Sequence, residues 1–73
     1  MTFKVIYGIE SQEKECINNP TVGQVIQDPV LKAVFGWGDN LRAMIHGVEQ
    51  PATAIVPEGA DVVIETKANS KAN

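Results

Sequence analysis

The chain has 73 residues, 44% of them hydrophobic and 21% charged, with a formal net charge of −3. That length holds one domain, close to the size below which a hydrophobic core cannot support itself without staples, and the acidic balance offers phosphate backbones little attraction, so nucleic-acid binding is disfavoured. Its single cysteine, Cys16, cannot close an internal disulfide, which makes a reducing compartment the simpler expectation.

The opening Met1-Thr2-Phe3-Lys4-Val5-Ile6-Tyr7 lacks the long apolar stretch of a secretory signal, and no run approaches the ~18 apolar residues of a membrane span. No membrane partner is expected, and the protein is placed in the cytoplasm or in an assembly made there. Phe3, Val5 and Tyr7 alternate with Thr2, Lys4 and Ile6, which predicts a strand at once. Gly8 to Gln12 reads as a turn, and Lys14-Glu15-Cys16-Ile17-Asn18 as a second strand returning on the first, ended by Asn18-Asn19-Pro20.

Thr21 is a competent N-cap, and Val22, Val25, Ile26, Val30, Leu31, Val34 and Phe35 follow at spacings of three and four, which gives a helix one apolar face. Pro29 interrupts that pattern, yet Asp28-Pro29 also suits a cap and first helical residue, so the segment is one kinked helix or two short ones. Gly36 closes it. We expect Val22, Val25, Ile26, Leu31 and Val34 to face a sheet carrying Phe3, Val5, Ile45, Val62 and Ile64.

The glycine-punctuated loop Gly36-Trp37-Gly38-Asp39-Asn40 leads to a strand over Leu41 to His46, with Leu41, Ala43 and Ile45 on one side. Gly47 begins a turn. Val48 to Pro51 allows a short extended piece, Ala52 to Val56 a brief helical turn or irregular crossing, and Pro57-Glu58-Gly59-Ala60 a tight turn. The last strand runs from Asp61 to Thr66, with Val62 and Ile64 on one face and Val63 and Glu65 on the other. The expected class is therefore α+β: one helix, kinked or split, packed on a mixed four-stranded sheet. The domain is expected to end near residue 67, with 68–73 as a polar tail.

Three local matches accompany that order. Thr21-Val22-Gly23-Gln24-Val25-Ile26, Ile45-His46-Gly47-Val48-Glu49-Gln50 and Pro57-Glu58-Gly59-Ala60-Asp61-Val62-Val63-Ile64 resemble the helix entry, a hairpin and the closing turn and strand of the β-grasp, or ubiquitin-like, superfamily. Within it they look nearest to the small sulfur carriers of molybdopterin and thiamin biosynthesis. His46 stands where that family usually carries asparagine, and Ala60 is inserted between the glycine and the aspartate. The family's functional pattern, a terminal Gly-Gly, has no counterpart at Ala72-Asn73, so no catalytic residue carries over. The resemblance implies the β-grasp fold and a surface that docks on a larger partner.

The chemical inventory points the same way. His46 is the only histidine, so no histidine pair can form; Cys16 with His46 is the one conceivable nucleophile and base, and one of each falls short of a structural zinc set. Both are read as structural. Gly36-Trp37-Gly38 follows a helix and lacks the lysine of a phosphate loop. Trp37 is either a lid on the core or an exposed contact anchor, with the lid favoured. Lys67 and Lys71 are candidate partner contacts in a linker, an ordering tail or plain disorder.

The function expected is that of a non-enzymatic protein-binding module without cofactor, an adaptor or accessory structural subunit of an assembly such as a phage particle. Its affinity would come from apolar residues on the exposed face or edge of the sheet. The alternatives are a sulfur carrier or modifier with an atypical or processed C-terminus, and a small inhibitor that adds a strand to an enzyme.

Overall fold

The computed structural model describes residues 1–67; the expected tail at 68–73, with Lys71, lies outside the described residues. Seven elements follow in chain order: β1 (Thr2–Tyr7), β2 (Glu10–Glu15), α1 (Val22–Ile26), α2 (Pro29–Phe35), β3 (Leu41–Ile45), β4 (Val48–Gln50) and β5 (Asp61–Thr66). The sheet has five strands in the order β2-β1-β5-β3-β4, with β1 and β5 parallel and the other pairs antiparallel. This is one strand more than the four expected, because the extended piece at Val48–Gln50 pairs with β3 as a true edge strand.

The second strand also lies earlier than expected. Gly8 takes φ 65°, a left-handed conformation open to glycine at no steric cost, and the hairpin turns at Gly8-Ile9 instead of extending to Gln12. Tyr7 then faces Glu10, and Thr2 faces Glu15. The β3–β4 hairpin is equally tight: His46 and Gly47 have φ of 55° and 77°, the double left-handed signature of a type I′ turn.

Pro29 splits the helix. Thr21 and Gln24 form a capping box, the Gln24 N–H donating to Thr21 Oγ1 at 3.2 Å and the Thr21 N–H to Gln24 Oε1 at 2.9 Å. The two remaining donors of that first turn find tertiary acceptors: Val22 N–H donates to the Ala54 carbonyl at 2.8 Å and Gly23 N–H to that of Ala52 at 2.9 Å. The crossing after β4 is thus an irregular strap, joined to the chain before α1 by the Thr21–Ile55 bridge. A Cβ on Gly23 would lie 3.1 Å from the Ala52 carbonyl oxygen, a tight contact that the strap could admit only by giving way a few tenths of an ångström.

Asp28 caps α2, accepting from Val30 N–H at 2.8 Å and Leu31 N–H at 3.4 Å, and its other oxygen lies 3.2 Å from Lys14 Nζ on β2. Partial burial pushes this carboxyl up, but the Lys14 hydrogen bond and the two backbone donors outweigh it and hold the group below the usual carboxylate value.

The core lies between the helices and one face of the sheet. Phe3, Val5, Leu41, Ala43, Ile45, Val62 and Ile64 come from the strands, Val22, Val25 and Leu31 from the helices, and Trp37, Val56 and Ala60 from the connections. Val34 departs from the expected inward set: it is 52% exposed, whereas Leu31 is 1% exposed. Restarting the helix at Pro29 puts Leu31 inward and leaves Val30 and Val34, four residues apart, on the outer side. No helix among the described residues is long and apolar enough to cross a membrane.

Candidate protein-binding face

Side chains alternate across a strand, so the residues between the core positions form the opposite face of the sheet, which no helix among the described residues covers. Register decides which of them meet. Ile6 on β1 is paired with Ser11 on β2 and with Val63 on β5; Val63 is paired with Met44 on β3, and Met44 with Glu49 on β4. A single row therefore crosses all five strands as Ser11–Ile6–Val63–Met44–Glu49. Its three central members are apolar and only half-buried.

Charged rows flank this one. On one side Lys4 lies between Glu13 and Asp61, its partners on β2 and β5, and Thr2 faces Glu15 one step further out. On the other, Arg42 donates to Glu65 Oε1 from Nε at 3.1 Å and from Nη2 at 2.7 Å, and its Nη1 lies 3.9 Å from Glu49. Ile9, fully exposed at the tip of the β1–β2 turn, closes that end of the hairpin.

Trp37 is 2% exposed and packs as a lid on the core. Phe35 stacks on it at 5.4 Å with 13° between the planes, and Tyr7 meets it edge-on at 5.7 Å and 69°. A side chain so enclosed presents nothing to a partner, and its Nε1–H has no acceptor among the described residues. Lys67 is exposed one step past β5, its N–H bonded to the Asn40 carbonyl at 2.8 Å.

Cys16 and His46 stay apart. Cys16 follows β2 at one edge, with its N–H on the Met1 carbonyl at 2.8 Å, while His46 sits in the turn after β3. Three strand spacings at about 4.8 Å each separate those strands by roughly 14 Å, far beyond proton-transfer reach. Among the described residues there is no ligand-sized pocket and no cluster of three metal-ligating side chains.

The sheet order, the parallel β1–β5 pair and the helical layer on one face are those of the ubiquitin-like β-grasp fold, which the turn motifs resemble. Among solved structures, the chain is similar to the ubiquitin of Caldiarchaeum subterraneum, with a TM-score of 0.71 and 23% identity over 96% of each chain. It is similar also to SAMP1 of Haloferax volcanii, with a TM-score of 0.66 and 10% identity over 96% of this chain and 99% of that one. A third likeness is to ATBAG1, crystallised in complex with HSP70, at a TM-score of 0.75 and 16% identity; 96% of this chain aligns, spanning 42% of that one. No protein-family model and no curated protein matches the chain. At these identities the likeness is one of fold.

Proposed function

We propose that the protein is a non-enzymatic binding module, an adaptor or accessory subunit that docks on another protein through the open face of its sheet. The observation that carries this reading is the row Ile6–Val63–Met44: three apolar side chains from three strands, side by side and half-exposed where no helix among the described residues covers them. Such a surface gains by being buried, at roughly 25 cal/mol for each Å² of apolar area removed from water. The ATBAG1 complex with HSP70 supports the reading in a general way, as a chain containing this fold that meets another protein.

The edges of the sheet suit a partner less well. β2 carries Glu10, Glu13, Lys14 and Glu15 in six residues, and β4 is three residues long and runs straight into Pro51. Charge, brevity and proline are the features that discourage strand addition. This favours docking on the face over inhibition by β-augmentation.

The test is photo-crosslinking in the source cells, with a benzophenone amino acid placed at Met44 or, for comparison, at Val30 on the outer side of α2. Discrete adducts with another protein are expected from position 44. Adducts from position 30 alone, or none from position 44, would overturn the reading.

A further inference from the structure

Resting on that reading of the open face, we infer that its partner presents a basic segment: an apolar ridge that covers Ile6, Val63 and Met44, flanked by lysine or arginine. The argument is the placement of charge around the row. Each of the two cations within the face is outnumbered, Lys4 by Glu13 and Asp61 and Arg42 by Glu65 and Glu49. Glu15 adds a fifth carboxylate opposite Thr2. Among the described residues the open face thus carries five carboxylates against two cations, and Lys67 beyond the end of β5 lessens that surplus without reversing it.

Arg42 is engaged on both sides, so it offers a partner carboxylate little. The carboxylates of Glu13, Glu15 and Asp61 are exposed, and Lys4 lies between two of them. Exposed charges of one sign steer encounter and select among partners more than they add affinity. They also decide against other occupants. A second copy would bring an equally acidic face against this one, and phosphate-bearing surfaces would be repelled. A partner with lysine or arginine beside an apolar ridge satisfies both parts of the surface at once.

The experiment pans a library of short random peptides against the whole protein and synthesises the enriched sequences. Their affinities are then measured by fluorescence anisotropy at low and high salt. Wild type is compared with Met44→Gln/Val63→Thr, which replaces the apolar row by polar groups of similar shape, and with Glu13→Gln/Asp61→Asn, which neutralises exposed carboxylates. Enriched peptides are expected to be cationic and apolar, to weaken about tenfold or more with the row variant, to weaken about fivefold with the neutralised variant, and to lose affinity as salt screens the charges. Peptides that need Met44 and Val63 but are neutral or acidic and insensitive to salt would overturn this inference and leave the docking face standing. Peptides indifferent to the row variant, or no enrichment at all, would remove both.

Discussion

Leu31→Ala and Val34→Ala, three residues apart on α2, should have very unequal consequences, because Leu31 is 1% exposed and Val34 is 52% exposed. The leucine substitution removes three carbons from the core, worth roughly 2.4 kcal/mol at ~0.8 kcal/mol each. A cavity that relaxes only partly adds about 1 kcal/mol at ~24 cal/mol per Å³, for a total near the middle of the ~2–5 kcal/mol seen for buried leucines. A domain of this length has only about 4–11 kcal/mol in all, so the loss is a large fraction. For Val34 the lost contact is slight and alanine is the better helix former by several tenths of a kcal/mol, which leaves the change within about 0.5 kcal/mol of zero.

Urea unfolding followed by the fluorescence of buried Trp37 measures both. With an m-value of about 1 kcal/mol/M, Leu31→Ala moves the midpoint down by about 3 M and Val34→Ala barely moves it. A loss below about 1 kcal/mol for the leucine, or comparable losses for the two, would refute the register of α2 against the sheet.

Three further substitutions probe local features. Asp28→Asn keeps a capping side chain but removes the charge facing Lys14, and should cost under about 1 kcal/mol at neutral pH. Because the folded-state pKa of Asp28 is lowered, its contribution is complete above the ordinary carboxylate value of about 3.9 and disappears as pH falls through the folded value; the difference from wild type in urea melts should vanish there, and one that persists in acid would count against the ion pair. His46→Asn suits the left-handed turn position and should raise the thermal midpoint by a few degrees, about 0.5 kcal/mol, whereas a fall would mean that the imidazole makes a stabilising contact. Gly23→Ala would gain up to ~1 kcal/mol from helix propensity alone, yet the Ala52 carbonyl stands in the way and a net loss of about 1 kcal/mol is expected in the same melts; a gain would show that the strap yields.

Much of this architecture is legible in the sequence because local rules and burial agree. β1, β3 and β5 alternate cleanly, and Thr21, Asp28-Pro29 and Gly36 mark the helix ends where the structure has them. β2 is different: Glu-Ser-Gln-Glu-Lys-Glu buries almost nothing at the sheet edge, so no periodicity announces it, and its position follows from the tightness of the Gly8-Ile9 turn. Val34 misleads because Val30, Leu31, Val34 and Phe35 supply two apolar pairs at the same spacing, and only the packing of the restarted helix decides which turns inward. The apolar row on the open face is half-legible. Ile6, Met44 and Val63 each fall out of phase with the core positions of their strands, which is a signal, but their adjacency depends on the long-range register of β1, β5 and β3. Ile9 looks like an ordinary turn residue until its full exposure is seen.

The most direct test of the central claim takes the protein crosslinked through position 44 and measures its affinity for two shape-preserving double variants by calorimetry, with thermal melts to confirm folding. Met44→Gln/Val63→Thr changes the open face of the sheet; Val30→Thr/Val34→Thr changes the apolar pair on the outer side of α2. If the open face docks the partner, the first weakens binding about tenfold or more and the second leaves it unchanged. Undiminished binding by the first variant, or loss through the second alone, would contradict the account.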